Sequence, residues 1–369
     1  MFAPALAAVL AVASALAGEA RAAGDDTLVH RLAFGSCAKQ TQPAPVWDAI
    51  ADWKPEVTVL LGDNIYADTI DMDVMKQSYA QLAALPGFQR LRAGTHLVAT
   101  WDDHDMGADD AGSDYPMRAG SKQAFLDFLG EPADSPRRQR DGVYESYVFG
   151  PPGKRVQVIL LDTRWFRSPL KRAETPGDPH RGRFGPYQPN DDPSATMLGE
   201  AQWQWVRGEL ERPAEIRLLG SSIQLLAEDH GFEKWMNFPR ERERLFATLA
   251  AAHATGLIVL SGDRHAAELS LLPAAGRVDE LTGQRTANPL GYPLFDLTAS
   301  SFNAPRPWAW EINRHRVGDV YFAANFGTVE IDWERADPQV TLSIRNDKGE
   351  TVFAHVVSLS ALRAGAGVH

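Results

Sequence analysis

The sequence predicts a layered α/β domain that ends in antiparallel strands. Short apolar, β-branched runs recur along the chain, and stretches with helical spacing of apolar residues lie between several of them. The C-terminal part instead alternates apolar and polar residues, and the turn Asn346-Asp347-Lys348-Gly349 separates two of its runs, which is typical of a hairpin. Because neither an internal repeat nor a low-complexity linker interrupts the pattern, we expect a single domain over residues 24–369.

The individual elements follow from these patterns in chain order. The expected core strands are 32–34, 57–61, 97–100, 156–161, 216–219 and 257–260, and the expected C-terminal strands are 327–332, 339–345 and 351–358. The expected helices are 45–53, 121–129, 199–210 and 240–252. Two segments rich in Pro, Gly and charge, 131–142 and 167–198, resist assignment and are expected to be either lids or surface loops.

Composition excludes several classes of protein. The chain has 369 residues with a formal net charge of −11 and a hydrophobic fraction of 44%, which excludes a disordered chain, a collagen-like fibre and a polytopic membrane protein. Its single cysteine excludes an internal disulfide framework. The acidic balance argues against specific nucleic-acid binding, but a phosphate-bearing substrate stays possible because bound metal ions supply local positive charge.

The N-terminus has the pattern of a secretory signal peptide. Residues 2–17 are uninterrupted apolar residues, and Ala20-Arg21-Ala22 provides a small-residue cleavage site, although no Lys or Arg precedes the apolar run. We therefore expect a signal peptide over residues 1–23, removed on the general secretion route, and a periplasmic or secreted mature protein. The alternative is a retained membrane anchor, and no other apolar run is long enough to span a bilayer.

Polar clusters directly follow five of the expected strands. They are Gly35-Ser36-Cys37, Gly62-Asp63-Asn64-Ile65-Tyr66, Trp101-Asp102-Asp103-His104-Asp105, Asp162-Thr163-Arg164 and Ser261-Gly262-Asp263-Arg264-His265. In an open α/β sheet the carboxyl ends of neighbouring strands line one crevice where ligands bind. We therefore expect these clusters to meet in a single site.

The expected crevice is rich in metal-ligand side chains. It would hold Cys37, Asp63, Tyr66, Asp103, His104, Asp263 and His265. Several carboxylates at close quarters stay ionised only when cations compensate them. Oxygen ligands suit calcium, manganese or ferric iron, whereas a thiolate, phenolate and imidazole favour a transition metal at one of two positions. Two metals roughly 3.5–4 Å apart can bind a phosphoryl group and activate water for in-line attack.

These motifs, in this order, resemble those of the calcineurin-like metallophosphoesterases. With Gly35-Ser36-Cys37 ahead of them and Leu161-Asp162-Thr163-Arg164 between, the chain resembles the PhoD-like alkaline phosphatase/phosphodiesterase family over about residues 31–332. The resemblance implies a four-layer αββα fold with two sheets packed face to face. It also implies hydrolysis of phosphate esters, especially diesters, with iron and calcium as cofactors. We expect a metal-bound hydroxide to attack phosphorus, and manganese or zinc are alternative cofactors.

The resemblance also assigns residues to roles. Cys37, Asp63, Tyr66 and His265 match the positions around iron, with Asp63 bridging to a second metal. Asp103 and Asp263 match the second, calcium-like position. Two family features find no counterpart, since no further ligand can be placed in 107–110 and the tail lacks a shielding helix, which would leave a more open site.

His104 and Asp105 are catalytic candidates. His104 is the expected proton donor to the leaving oxygen, and the flanking carboxylates of Asp103 and Asp105 are expected to raise its pKa and keep it available as an acid. Three other assignments stay open. Arg164 is either a substrate contact or a structural ion-pair residue, and Arg264 has the same two readings. Asp102 is either an alternative ligand to Asp103 or a helix cap.

Two functions compete with phosphoester hydrolysis. One is an enzyme for another ester class, such as sulfate esters. The other is a periplasmic protein that binds a metal or a partner through a relict site, although the intact ligand set argues against it. No particular protein partner follows from the sequence.

Overall fold

The protein is described here by a computed structural model covering residues 25–174, 185–279, 283, 285–306 and 311–365. The expected signal peptide lies outside the described residues. Its strands are β1 Arg31–Gly35, β2 Val57–Leu61, β3 His96–Thr100, β4 Glu145–Phe149, β5 Val156–Leu160, β6 Ile216–Ser221, β7 Leu257–Ser261, β8 Ala267–Leu272, β9 Arg277–Val278, β10 Arg285–Thr286, β11 Leu294–Ala299, β12 Arg316–Tyr321, β13 Asn325–Asp332, β14 Gln339–Asn346 and β15 Thr351–Ser358. Its α-helices are α1 Val46–Trp53, α2 Met72–Ala84, α3 Pro86–Gly94, α4 Asp103–Met106, α5 Arg118–Leu129, α6 Pro136–Gln139, α7 Gly199–Leu210 and α8 Pro239–Ala251.

Two large mixed sheets form the centre of the described fold. One has six strands in the order β15-β14-β13-β1-β2-β3, and the other has seven in the order β12-β8-β11-β7-β6-β5-β4. In the first sheet β1, β2 and β3 are parallel, with Phe34 paired to Val59 and Val59 to Val98. In the second sheet β5, β6, β7 and β11 are parallel. Each sheet therefore presents a row of carboxyl ends at one edge.

The two sheets share one hydrophobic core. Leu32 and Phe34 of β1 belong to the cluster that contains the core residues of the seven-stranded sheet, whereas Ala33 belongs to the cluster formed with the helices of the first half. This alternation follows from the two-residue period of a strand. Close approach between the sheets requires a small residue at Gly220, where a Cβ would lie 3.0 Å from the Leu61 side chain. Full burial of a residue such as Leu61 contributes about 1.5–3 kcal/mol.

The predicted α/β class and C-terminal strands are confirmed. Strands 57–61 and 351–358 and helix 199–210 have the predicted bounds, and the other predicted elements differ by a few residues at their ends. The sequence patterns did not predict α2, α3, β4, β8, β11 or β12, nor the short elements α4, α6, β9 and β10. Strand β11 escaped it because Asp296 interrupts the apolar run, and that carboxylate is buried and bonded to Ser261 at 2.7 Å.

The two unassigned segments differ from each other. Segment 131–142 contains α6 and is anchored by the fully buried Arg137, whose Nε donates to the Val143 carbonyl at 2.8 Å. It is therefore packed against the fold. Of segment 167–198, residues 175–184 lie outside the described part. Within the described residues, no helix is long and apolar enough to cross a membrane.

Candidate metal centre

The candidate site lies where the carboxyl ends of the two sheets meet. An isolated parallel bridge between Ser36 and Ser300 joins the turn after β1 to the turn after β11, and so connects the sheets at this point. Sharp turns follow the strands here. Gly62 has φ +101°, and a Cβ at that position would lie 2.5 Å from the Cβ of Asp102. Glycine therefore lets the turn after β2 approach the turn after β3.

Four candidate ligands occupy the left-handed backbone region. The φ angles are +62° at Cys37, +50° at Asp63, +68° at Asp263 and +54° at His265. This conformation is uncommon for residues other than glycine and costs on the order of 1–3 kcal/mol each. The surrounding structure holds this strain in the turns that carry the ligand side chains, as functional sites often do.

The first group of ligand atoms comes from the turns after β1, β2 and β7. Ligand atoms of Cys37, Asp63 and His265 all lie within 4.8 Å of one another. The Cys37 Sγ lies 3.4 Å from Asp63 Oδ2, and the Tyr66 hydroxyl donates to the same oxygen at 2.9 Å. The Tyr66 oxygen is also 3.4 Å from His265 Nε2. The structure thus brings together all four residues expected around the first metal.

The imidazole of His265 has the form that a metal ligand requires. Its Nδ1 bonds the carbonyl oxygen of Ala304, so Nδ1 carries the proton and the Nε2 lone pair is free. Burial, with the charge of Arg306 as the next cause, lowers the pKa of His265 to about 3. The ring is therefore neutral over the physiological range.

The second group consists of carboxylates, three of which have one oxygen without a hydrogen-bond donor. Ligand atoms of Asp102, Asp103 and Asp263 lie within 4.8 Å of one another, and those of Asp63, Asp103 and His104 do likewise. The buried oxygens Asp63 Oδ1, Asp102 Oδ2 and Asp103 Oδ1 have no hydrogen-bond partner. Burial and the neighbouring carboxylates raise the pKa of Asp63, and burial is also the main cause that raises the pKa of Asp263.

These orphaned oxygens fit bound cations. A buried anionic oxygen without a donor is costly, and a metal ion removes that cost. The donor set divides by chemistry, with sulfur, phenol and imidazole in the first group and oxygen in the second. Because Asp63 belongs to both groups, its two oxygens can face two different ions.

His104 is held by a carboxylate that the sequence analysis did not identify. Its Nδ1 lies 2.7 Å from Asp68 Oδ1, and its ring contacts the Tyr66 ring with centroids 4.1 Å apart and the planes tilted by 36°. Burial lowers the pKa of His104, but Asp63, Asp68 and Asp103 outweigh it and raise the pKa to about 11. Asp68 engages Nδ1, which leaves Nε2 as the ring nitrogen that this carboxylate does not hold.

Asp105 does not have the place that the sequence analysis expected. Its oxygens accept the backbone N–H groups of Asn64 at 3.1 Å and Asp102 at 3.0 Å, and the Tyr79 hydroxyl at 2.9 Å. It is fully buried and ties the turn after β2 to the turn after β3. Because Asp68 bonds the imidazole instead, Asp105 has a scaffolding position.

Arg164 lies behind the site carboxylates. Its guanidinium is fully buried, and Nε bonds Asp102 while one terminal nitrogen donates to Glu233 at 2.7 Å. Another terminal nitrogen lies 3.5 Å from Asp103. This enclosure favours the structural ion-pair role over substrate contact. It also leaves Asp102 with one oxygen engaged, since Asp102 Oδ1 accepts the Ser222 hydroxyl at 2.6 Å as well.

Arg264 is likewise paired within the protein. It bonds Glu311, and its guanidinium lies over the Phe232 ring at 4.6 Å from the centroid. Its terminal nitrogen also lies 3.5 Å from Asp263. The side chain is 12% exposed, which again favours the ion-pair role.

Three acidic residues of the site escaped the sequence analysis. Asp110 donates its backbone N–H to Asp103 Oδ2 at 2.7 Å, and ligand atoms of Asp103, Asp110 and Glu233 lie within 4.8 Å of one another. Asp110 belongs to the stretch 107–110, where the family resemblance implied a further ligand, so its position in the sequence gave an indication of its place in the site. Glu233 and the third residue, Asp68, lie in segments without strand or helix patterns, and nothing in the sequence distinguished them.

Comparison with known proteins identifies relatives of this arrangement. Alkaline phosphatase D of Bacillus subtilis (strain 168) is 24% identical over 250 residues, which are 61% of this chain and 41% of that protein, so the chain matches less than half of its relative's length. A solved PhoD structure superposes with a TM-score of 0.67 at 18% identity, over 91% of this chain and 70% of that one. GAP50, the anchor in the inner membrane complex of Plasmodium, superposes with a TM-score of 0.56 at 12% identity, over 92% and 91%.

The two structural likenesses support the fold alone, because both identities are below a quarter. The mixed α/β architecture with two large sheets is thus shared with PhoD. A family model for PhoD-like phosphatases, which are metal-dependent phosphoester hydrolases, matches residues 32–337. The chain therefore belongs to the PhoD-like phosphatase family.

Proposed function

We propose that this protein is a metal-dependent phosphoester hydrolase. The observation that carries the proposal is the group of buried carboxylate oxygens without donors, on Asp63, Asp102 and Asp103, beside a thiol and an imidazole. Structural carboxylates normally have donors within the chain. A site that leaves them free at the edge of two sheets is suited to cations that bind a phosphate ester.

Two metal positions follow from the donor chemistry. Cys37, Asp63, Tyr66 and His265 would hold the first metal, for which we propose iron. Asp103 and Asp263, with the second oxygen of Asp63, would hold the second, for which we propose calcium, with manganese or zinc as alternatives. Bound there, the metals would supply the positive charge that stabilises a phosphoryl group and activates water.

His104 would hold the proton for the leaving oxygen. Asp68 fixes Nδ1, so the Nε2 proton is the one available for transfer. Contact with the ring of Tyr66, a ligand candidate of the first metal, keeps the imidazole beside the proposed metal positions. We assign Asp105 and Arg164 to the support of the turns and carboxylates rather than to contact with the substrate.

We infer a preference for diesters over monoesters from the resemblance to the PhoD-like alkaline phosphatase/phosphodiesterase family. We infer an αββα layer order, supported by the core that both sheets share and by helices against the six-stranded sheet. We also infer export by the general secretion route and a periplasmic or secreted enzyme, from the apolar segment 2–17.

Hydrolysis of bis(p-nitrophenyl) phosphate and of p-nitrophenyl phosphate tests the proposal. The protein is purified without chelator and assayed with iron and calcium supplied, beside the Asp63→Asn variant. Faster turnover of the diester supports the full proposal, and faster turnover of the monoester keeps the hydrolase and overturns the diester preference. Absence of turnover on both, with metals bound, overturns the hydrolase and favours a binding protein or another ester class, such as sulfate.

A further inference from the structure

We propose that Ser300 is the positioning residue of the thiolate-bearing metal position. Its hydroxyl fixes the Cys37 sulfur relative to His265 and limits how much negative charge the sulfur donates to a bound metal. The inference rests on the proposed first metal position. It concerns a residue in the turn after β11, a strand that the sequence patterns did not reveal.

Ser300 stands at the junction of the two sheets. It is fully buried, and its backbone forms the parallel bridge with Ser36, the residue before Cys37. Its backbone N–H donates to the Ala266 carbonyl at 3.1 Å, directly after His265. The residue is therefore fixed from both sides by the turns that carry the two ligands.

The hydrogen bonds of the Ser300 hydroxyl determine its direction. The His265 backbone N–H donates to Ser300 Oγ at 2.8 Å, and Ser300 Oγ lies 3.1 Å from Cys37 Sγ. A hydroxyl has one proton to donate, and a metal-binding cysteine is a thiolate without a proton. With Cys37 bound to a metal, the hydroxyl of Ser300 must therefore donate to sulfur while it accepts from His265.

The following loop supports the same arrangement. The Ala304 carbonyl accepts the Nδ1 proton of His265, as described above. The side-chain amide of Asn303 accepts the Lys39 backbone N–H at 2.7 Å and donates to the Lys39 carbonyl at 2.9 Å. The loop thus clamps the turn that follows Cys37, and Ser300 is the residue in it that contacts both ligand-bearing turns through its side chain.

A donor to a thiolate changes the metal position in two measurable ways. It orients the sulfur, and supporting hydrogen bonds of this kind are worth about 10- to 100-fold in metal affinity. It also withdraws charge from sulfur, which raises the energy of the sulfur-to-metal charge-transfer transition. Ser36 Oγ, at 3.5 Å from Sγ and also accepting the Asp263 N–H, is a weaker candidate for the same role.

Binding of Co²⁺ to the metal-free protein provides the test, since its thiolate charge-transfer band is read without any substrate. Ser300→Ala removes the donor and leaves the Cβ. The matched control is Ser301→Ala, because the Ser301 hydroxyl is buried and has no hydrogen-bond partner. We expect Ser300→Ala to move the band to longer wavelength and to weaken Co²⁺ binding about 10- to 100-fold, with Ser301→Ala unchanged and Ser300→Thr close to the wild type.

Three results would overturn the inference. The first is that Ser300→Ala has the same charge-transfer band and the same Co²⁺ affinity as the wild type. The second is that Ser301→Ala shifts the band as much as Ser300→Ala does. The third is that the wild-type protein shows no thiolate band with Co²⁺. A shifted band in a protein that hydrolyses no phosphoester supports the inference while the proposed function fails, so the two outcomes are separate.

A measurement on the unmodified protein covers the case in which Ser300→Ala does not fold. Resonance Raman spectra of the Co²⁺ form in H₂O and D₂O report on an exchangeable proton that is hydrogen-bonded to the thiolate sulfur. We expect the metal–sulfur stretching band to move on exchange in the wild type and in Ser36→Ala alike. A band that does not move, or that stops moving in Ser36→Ala, overturns the role of Ser300.

Discussion

Two buried acidic clusters of this protein are built in opposite ways. At the candidate metal centre, Asp63 is 1% exposed and its Oδ1 has no donor. In a second cluster, which we call the Glu228 cluster and which comprises Glu228, Arg242, Arg314 and His315, the Glu228 side chain is 4% exposed. Glu228 Oε1 lies 3.0 Å from an Arg242 nitrogen and 3.1 Å from His315 Nε2.

The difference shows how a buried carboxylate reveals its role. The Glu228 cluster has its cations within the chain, and the hydroxyl of Thr286 adds a donor at 2.8 Å. Burial raises the pKa of Glu228, but His315 and Arg242 outweigh it and lower the pKa to about 2. Burial and Asp103 raise the pKa of Asp63 instead. A carboxylate such as Glu228, whose cationic partners belong to the chain, stabilises the fold. A carboxylate such as Asp63, which lacks such partners, requires a cation from outside the chain.

The largest expected effect comes from exchanging a carboxylate for its amide in each cluster. Asp63→Asn should lower turnover of bis(p-nitrophenyl) phosphate about 10³-fold or more, since it removes the ligand shared by both metal positions. Glu228→Gln should leave turnover per folded molecule near the wild type and lower the free energy of unfolding by about 3–5 kcal/mol, because it leaves the buried guanidinium of Arg242 without its carboxylate partner. Steady-state kinetics and urea unfolding measure the two effects. Undiminished turnover in Asp63→Asn would contradict the bridging role.

Removal of the proton donor should have a smaller effect that depends on the leaving group. His104→Ala should slow hydrolysis of an alkyl phosphodiester about 10²- to 10⁴-fold and that of a nitrophenyl ester much less, because nitrophenolate leaves without a proton. Asp68→Asn should act in the same direction with a smaller loss, since the ring keeps its proton but loses its anionic partner. Rates with a series of leaving groups provide the measurement. Equal losses for good and poor leaving groups would speak against a proton-donor role.

Lowering the pH should reveal how much the Glu228 carboxylate contributes to the free energy of unfolding. Because the pKa of Glu228 is lowered from 4.5 to about 2 on folding, its contribution is complete above about pH 4.5 and is lost as the pH falls to about 2. The loss should amount to about 3 kcal/mol of unfolding free energy. Denaturant unfolding of wild type and Glu228→Gln across this range measures it. A parallel decline of the two proteins would exclude Glu228 as its source.

Metal binding at the candidate metal centre should raise the free energy of unfolding, and the Glu228 cluster should not contribute to this gain. At a metal concentration 100-fold above the dissociation constant, the gain is about 2.7 kcal/mol, seen as a higher Tm. Asp63→Asn should lose most of this gain, and Glu228→Gln, starting from a lower Tm, should keep it. Thermal unfolding with and without chelator makes the comparison. A gain that persists in Asp63→Asn would indicate that the metal binds elsewhere.

The local patterns of the sequence were sufficient to predict the strands that precede the candidate metal ligands. Buried β-branched runs predict β1, β2, β3 and β7, and their polar ends supply Cys37, Asp63, Asp103 and His265. The reason is physical, because a strand buried on both faces must be continuously apolar and the first polar residues after it mark its carboxyl end. The ordered motifs then led to the PhoD-like family, which the family match confirms.

What only the tertiary structure decided is which partner each polar group has. The sequence expected Asp105 beside His104, whereas the fold brings Asp68 to the ring and directs Asp105 to backbone N–H groups. It likewise encloses Arg164 and brings Ser300 to Cys37 across 263 positions of sequence. Hydrogen bonds and ion pairs act over about 3 Å in space. Periodicity along the chain predicts where a strand ends, but the packing of the two sheets decides which ends meet.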